Sequence, residues 1–419
     1  RAELSPQIAG GDDQFSGFSE VDDFSDMDSE APIIRLVNHL FARALDLNAS
    51  DIHFEPNENY LEVRCRVDGI MTRIERLPVK IQSAVASRLK LMARLDIGEK
   101  RLPQDGRIDY RIGNRDLDMR VSTLPGVLGE SIVLRILDRR DLSIELSALG
   151  MPAAVLRNYS KVITQPHGLI LITGPTGSGK TTTLYAALNE INTMERKIIT
   201  VEDPVEYRLA GINQVQVNEK IELTFDRVLR SALRQDPDVV LVGEMRDENT
   251  VETGLRASMT GHMVFSTLHT NDAISTPARL LDMGAPRYMV ALSLQLVIAQ
   301  RLLRVICESC SEAYQPLPSE HEWLRSELGD RVDAHVYKHG RGCSYCNGTG
   351  FVGRTGVYEM LEMTKPVVEA ANQDDVRDFM KIAREQIGRN TLRHHAAELA
   401  ASGRTSPNEA MRMSSQLDE

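Results

Sequence analysis

Residues 169–181 constrain this chain more than any other stretch. The apolar run Leu169-Ile-Leu-Ile-Thr173 leads straight into Gly174-Pro-Thr-Gly-Ser-Gly-Lys-Thr181, and a helical pattern opens at Thr182-Thr183-Leu184. An apolar run, a turn matching GxxxxGK[ST] and a helix, in that order, define a strand–loop–helix unit. The glycines let the main chain curl until successive N–H groups aim at one point, where the positive end of the helix also acts. That point suits a polyphosphate. Lys180 is expected to reach β and γ phosphates, and the Thr181 hydroxyl to complete a Mg²⁺ shell. Nucleotide contacts are assigned to Gly174, Pro175, Thr176, Gly177, Ser178, Gly179, Lys180, Thr181 and Thr182.

Apolar runs at 169–173, 198–201, 239–242 and 263–266 alternate with helical stretches. Such alternation predicts an α/β unit over 158–306, with a mainly parallel sheet covered on both faces. Ligands of open α/β sheets collect outside the carboxyl ends of the strands. Ile199-Thr-Val-Glu-Asp-Pro-Val-Glu206 places Glu202, Asp203 and Glu206 beyond one such end, and Val239-Val-Leu-Val-Gly243-Glu244 delivers Glu244 at another. Glu206 and Glu244 are expected to converge with Lys180, one carrying Mg²⁺ through water and the other orienting the attacking water. Spacing does not assign the two jobs. His262 and His269 are seven apart, which would put them on opposite faces of one strand; His269, past the strand end, is the better γ-phosphate sensor. Arg230 and Arg234 share a helix face, and Arg246 follows Glu244 by two; all three are candidates to neutralise a transferring phosphoryl group.

Upstream, 31–141 reads as a small α+β domain. A helix starts at Ala31. Residues 60–67 alternate, with Leu61, Val63, Cys65 and Val67 inward, and Asp68-Gly69 forms a turn. A helix at about 81–95 and strands near 108–112, 117–122 and 131–137 follow. The domain carries 16 Arg and 3 Lys, and a planar guanidinium suits bidentate phosphate contact better than an ammonium. Residues 142–157 read as a linker.

Cys307-Glu-Ser-Cys310 and Cys343-Ser-Tyr-Cys346 are two CxxC pairs, each able to present one edge of a tetrahedron. Together they predict a closed structural Zn²⁺ site within 307–355, with His321, His335 and His339 as substitute ligands and a redox CxxC as the rival. Gly342 and Asn347-Gly-Thr-Gly350 suit tight turns around it. Residues 356–419 read as a helical subdomain: 374–402 is helical with Val376, Phe379, Ile382, Ala383 and Ile387 on a stripe, and His394 and His395 are ordinary helix residues. Ser406-Pro407-Asn-Glu409 reads as a capping box before a last helix.

At 419 residues the chain suffices for two or three domains, and no run of eighteen apolar residues is present. It begins at Arg1 without a signal or transit segment, so we expect a processed chain or a fragment. Nine acids and one base in residues 1–30 account for −8 of the net charge of −11. That segment reads as an acidic disordered tail, and the near-neutral remainder lacks the basic field that grips nucleic acid.

The segments GPTGSGKT, TVEDPVE, DPDVVLVGEMRD and TGHMVFSTLHT fall in the order of Walker A, Asp-box, Walker B and His-box. With ASDIHFEP (49–56), LDIGEKRLPQDGRI (95–108) and RVSTLPGVLGES (120–131), they make residues 31–419 resemble the assembly ATPases of type II secretion and type IV pili. Gly243-Glu244 stands where an ordinary Walker B has Asp, itself typical of that family. The resemblance implies a RecA-like P-loop ATPase core preceded by a small α+β, PAS-like domain, with a four-cysteine zinc subdomain. ATP, Mg²⁺ and Zn²⁺ are the implied cofactors. Glu206 and Glu244 would be the catalytic carboxylates, Arg120 and Arg135 would reach the γ-phosphate from the small domain, and Arg354 would lie near a subunit interface. A homo-hexamer is implied, cytoplasmic and peripheral at a bacterial inner membrane. Its partners would be a bitopic secretion protein, a polytopic platform protein and acidic phospholipids. The work would be pseudopilus assembly for protein export. A type IV pilus extension motor shares every motif and stands as the alternative, with a nucleic-acid translocating motor as the alternative of a different class. The cysteine module disfavours the pilus-retraction branch.

Overall fold

The computed structural model describes residues 30–112, 115–138, 145–373 and 375–415. The acidic segment read as a disordered tail therefore lies outside the described residues, apart from Glu30. Two compact units divide the chain, Arg1–Ile136 and Leu137–Glu419.

The first unit contains α1 (Glu30–Asp46), β1 (Asp51–Pro56), β2 (Tyr60–Val67), β3 (Ile70–Pro78), α2 (Gln82–Met92), β4 (Gln104–Ile112), β5 (Arg115–Gly126) and β6 (Gly129–Asp138). Its sheet runs β3-β2-β1-β6-β5-β4, so two consecutive meanders are zipped together where β1 meets β6 antiparallel. Leu61, Val63 and Cys65 point into a core shared with Val37, Leu40 and Phe41 of α1 and Val85 and Leu89 of α2. Burial pushes the Cys65 thiol up to about 12, as befits a packing residue. Asp68 and Gly69 both take positive φ (47° and 85°), the two-residue turn that the right-handed strand twist favours. Strand β1 alternates regularly, with Ile52 and Phe54 inward and Asp51, His53 and Glu55 on the other face. At six residues ending in proline, the pattern is too short to stand out in the sequence.

The second unit contains α3 (Ala153–Val162), β7 (Gly168–Thr173), α4 (Lys180–Ile191), β8 (Ile198–Glu202), β9 (Asn213–Gln216), α5 (Phe225–Ala232), β10 (Val239–Val242), α6 (Glu248–Met259), β11 (Met263–Leu268), α7 (Ser275–Asp282), α8 (Arg287–Ser293) and β12 (Leu294–Ile306). Beyond these come β13 (Ser311–Ala313), α9 (Pro318–Leu328), β14 (Lys338–Gly340), β15 (Phe351–Glu362), α10 (Lys365–Ala371), α11 (Val376–Ile387), α12 (Leu392–Ala401) and α13 (Pro407–Ser415). The main sheet runs β15-β12-β7-β11-β10-β8-β9; only the β12–β15 pair is antiparallel. Strand β7 shows why its residues are all apolar. Leu169 and Leu171 enter the core under α6 and α8, while Ile170 and Ile172 enter the one under α3 and α4.

Several expectations change. The stretch read as a linker, 142–157, contributes buried Leu146, Met151 and Val155 to the second of those cores. The region read as a helical subdomain from residue 356 begins as strand, because β15 continues to Glu362. Its opening Phe351-Val-Gly-Arg-Thr-Gly reads locally as turn, and only pairing along β12 extends it. Gly388 at φ 56° splits the helix expected over 374–402, and Val376 is exposed, so the stripe contracts to Phe379, Ala383 and Ile387. His395 is more than a surface helix residue: its Nδ1 accepts the Tyr358 N–H at 3.0 Å, and burial lowers its pKa to about 4.

Ser406 does cap α13, its Oγ accepting the Glu409 N–H at 3.2 Å. The other half of the box is missing, because Glu409 turns inward to accept Arg304 Nη2 (2.7 Å) and Arg412 Nη2 (2.9 Å). Burial alone would raise this carboxyl, but the two guanidiniums outweigh it and hold it below the ordinary range. Its stabilisation is therefore present above the unfolded pKa and disappears as pH falls through the lower folded one. Glu409→Gln should cost about 3 kcal/mol in chemical denaturation at pH 7, with the gap to wild type closing under acid conditions.

Candidate functional site

Strand order sets the site. β7, β11, β10 and β8 lie side by side with Leu171, Ser266, Val242 and Val201 in register. Their carboxyl ends therefore deliver, in one row, the glycine-rich loop, His269, Glu244 and the 203–206 turn. Side-chain hydroxyls latch the row together. Thr173 Oγ1 accepts the Thr270 N–H at 2.8 Å, Thr267 Oγ1 donates to Gly243 O at 2.7 Å, and Ser266 Oγ donates to Val242 O at 2.7 Å.

Helix α4 begins at Lys180, two residues earlier than the sequence pattern, after Gly174, Gly177 and Gly179 at φ 147°, 79° and 85°. The loop rests on β12: a Cβ on Gly174 would sit 2.4 Å from Gln300 O, so no other residue fits. The Gln300 amide fastens it, with Nε2 donating to Ser178 O (2.8 Å) and Oε1 accepting from Thr183 (2.7 Å). Buried Arg301 donates to Gln300 O (3.1 Å) and to Asn271 O (3.2 Å), tying loop to His-box turn. Sequence reasoning missed both residues; their signal is an adjacent polar pair inside the otherwise apolar run 296–303.

Lys180 Nζ lies over the loop and donates to Gly174 O (2.7 Å) and Pro175 O (3.1 Å). Burial lowers its pKa to about 8, Glu244 opposing and Arg301 adding to the effect. Thr181 and Thr182 are half-buried on the next turn. His269 Nε2 stands 3.7 Å from Glu244 Oε2. Burial, with Lys180 nearby, holds this imidazole below its ordinary pKa and hence neutral at pH 7. His262 occupies the opposite end of β11, hydrogen-bonded to Ala257 O at 3.0 Å. Strand length, rather than opposite faces, separates the two histidines.

Glu244 pairs with Arg246, which also reaches Asp203 Oδ2 at 3.7 Å and so bridges two neighbouring strand ends. Glu206 lies beyond the end of β8, beside Glu202, Tyr185 and Tyr207. Arg230 on α5 pairs with Asp226 (2.7 Å), and Arg234, just beyond it, donates to Ser231 (3.1 Å). In the first unit, Arg135 donates to Asp51 Oδ1 at 3.0 Å across the β1–β6 pair, while Arg120 lies on β5 opposite Arg107.

The cysteines form a second site. All four sulfurs lie within 4.8 Å of one another, with separations of 3.9 Å (Cys307–Cys343), 3.8 Å (Cys310–Cys346) and 3.7 Å (Cys343–Cys346). A tetrahedron with Zn–S bonds of ~2.3 Å has edges of ~3.8 Å. The donor set fits zinc. Amides of Cys343 and Gly350 donate to Cys346 Sγ, both at 3.2 Å, the kind of outer contact that supports thiolate ligands. Gly342, Asn347, Gly348 and Gly350 all take positive φ around it. Gly340 and Gly350 pack so closely that a Cβ on either would meet the other's main chain, at 2.0 and 2.3 Å. His321 and His339 pair with Asp333 and Glu312 instead, so four sulfurs form the cluster without a histidine.

Residues 26–412 match the family model described as Type II/IV secretion system protein. The chain belongs to that family. Among curated relatives, the type II secretion system protein E of Aeromonas hydrophila is 47% identical over 395 residues, spanning 94% of this chain and 77% of the relative. The type II secretion system ATPase E of Vibrio cholerae is 43% identical over 410 residues, 97% of this chain and 80% of the relative. The solved pilus retraction motor PilT with bound ADP is 28% identical, covers 90% of this chain and 96% of its own, and superposes with TM-score 0.60. These relatives favour the type II secretion reading over pilus extension. No helix among the described residues of this family member is long and apolar enough to cross a membrane.

Elemental analysis of the purified protein should give one zinc per chain. Cys346→Ser should lose the metal, and chelation of the wild type should lower Tm by about 5 °C; an unchanged Tm after metal loss would remove the structural role.

Proposed function

We propose that this chain hydrolyses ATP at the carboxyl edge of its parallel sheet and uses the cycle to drive type II secretion. The observation that carries the reading is the convergence of Lys180, Glu244 and His269 on a loop curled by three positive-φ glycines. Family membership, relatives named for type II secretion and a 28% identical neighbour solved with ADP support it.

In this mechanism the loop amides from Gly174 to Thr182 and the positive end of α4 hold the phosphates. Lys180, charged below pH about 8, exchanges the carbonyls of Gly174 and Pro175 for β and γ oxygens. Thr181 would hold Mg²⁺, which would supply positive charge against that of the phosphates. Glu206 and Glu244 share the work on the attacking water, one orienting it and the other taking its proton. Neutral His269 donates a hydrogen bond to the charge that develops on the γ-phosphoryl oxygens. Arg120, Arg135, Arg230 and Arg234 are the arginines assigned to neutralising the transferring phosphoryl group.

On this reading the second unit is a RecA-like core, the first a PAS-like domain, and the thiolate cluster a structural zinc subdomain. The assembly is a hexamer, cytoplasmic and peripheral at the inner membrane. It engages a bitopic secretion protein, a polytopic platform protein and acidic phospholipids, and its motion assembles a pseudopilus.

Phosphate release by the purified protein, with and without the membrane partner's cytoplasmic domain, is the direct test. Lys180→Ala and Glu244→Ala should each remain folded and lose at least about 100-fold in turnover. Normal turnover in Lys180→Ala would sink the reading. Calorimetry adds a signature: because Lys180 titrates near 8 before binding, ATP binding at pH 9 should take up a proton, and at pH 6.5 it should not. Repeating the titration in buffers of different ionisation enthalpy measures that uptake.

A further inference from the structure

The loop that carries Glu206 has no regular structure of its own, yet almost every residue in it is tethered. Val205 N–H donates to Gln216 Oε1 at 3.3 Å. Gln214 spans the next part: its Nε2 donates to Tyr207 O (3.1 Å) and its Oε1 accepts Leu209 N–H (2.7 Å). The remaining tether comes from another element. Gln214 Nε2 also reaches the Tyr185 hydroxyl at 3.5 Å, and the Tyr207 ring packs edge-on against the Tyr185 ring, with centroids 4.6 Å apart at 81°.

Tyr185 is fully buried and sits on α4, the helix whose first turn presents Lys180 and Thr181. Its hydroxyl donates to Glu202 Oε2, a carboxylate also held by Gln214 Nε2 at 3.2 Å and by the Thr200 hydroxyl. A phenol has one proton to give and lone pairs to accept. Giving the proton to Glu202 leaves the oxygen to receive Gln214 Nε2. One hydroxyl thus joins the phosphate-loop helix, the end of β8 and the glutamine that holds the Glu206 loop at Tyr207 and Leu209.

We propose that Tyr185 is a positioning residue for hydrolysis: it couples α4, and with it the phosphate loop, to the placement of the Glu206 carboxylate. Glu202 is its anchor. Buried among the tyrosines and near Glu206, that carboxyl has a raised pKa and is reserved for fixing the phenol. The inference rests on the catalytic reading of Glu206 given above, and goes beyond it by naming what holds that group in register with the nucleotide.

Tyr185→Phe keeps the ring and its packing and deletes only the shared hydroxyl. In the purified full-length protein it should lower kcat roughly tenfold, the scale of one lost hydrogen bond to a charged network, with KM and fluorescent-nucleotide affinity within about twofold of wild type. Glu202→Gln, which preserves an acceptor for the phenol, should retain most activity. Glu206→Gln should reduce kcat further, and Tyr185→Phe should add nothing in that background, since the hydroxyl acts through Glu206. If Tyr185→Phe fails to fold, Gln214→Met removes the other tether of the same loop and takes the same measurements. Wild-type kcat in Tyr185→Phe beside an impaired Glu206→Gln would overturn the positioning role alone. Full activity in Glu206→Gln would overturn it together with the catalytic reading. Additive losses in the double variant would reduce Tyr185 to a packing residue and also overturn it.

Discussion

The structure depends on the parallel alignment of β7, β11, β10 and β8. Each strand contributes apolar side chains to both faces, as Leu169 to Ile172 do on β7, so none can slip by one residue without moving its neighbours' side chains. Because the strands end together, four loops that are distant in sequence start from one edge. Thr173, Ser266 and Thr267 then convert alignment into attachment by hydrogen-bonding to the next strand's end. Hydroxyls at the last strand positions do this without adding charge to a site whose task is to handle charge.

Around that edge the chain mixes flexible and fixed cations. Lys180 rests on the carbonyls of Gly174 and Pro175, and Arg246 bridges two carboxylates while half exposed. Arg301 is different. Buried against main-chain carbonyls, with Asp272 and Glu359 nearby, it holds the loops from behind. Its burial lowers its pKa, yet a guanidinium stays charged at neutral pH and lends positive potential to the phosphate side. Burial thus sorts the arginines and lysines of one small region into binders and supports.

The cysteine cluster follows another logic. Its segment is rich in positive-φ residues and has close main-chain approaches at Gly340 and Gly350, and among the described residues the apolar side chain packed against the sulfurs is a partly buried Val352. Four cysteines able to hold one metal would supply the cross-links that such a small core lacks. It adjoins β12, which also backs the phosphate loop through Gln300, so the cysteine cluster and that loop share one strand.

Much of this was legible in the sequence because the signals are local. The strand–loop–helix unit needs only consecutive residues, the CxxC pairs need only spacing, and β7, β10 and β11 are apolar runs between clear breaks. The Asp68-Gly69 hairpin and the core role of Cys65 follow equally from short patterns. What escaped was set by distant partners. β15 is a strand because β12 lies beside it, Glu409 abandons its cap because Arg304 is within reach, and Gln300 matters because Ser178 and Thr183 pack against it. Sequence alone determined which chemistry the chain carries, since motifs specify groups within a few bonds of one another. Tertiary structure decided which groups meet: Lys180, Glu244 and His269 lie 25 to 89 positions apart, and only strand order and register bring them to one edge.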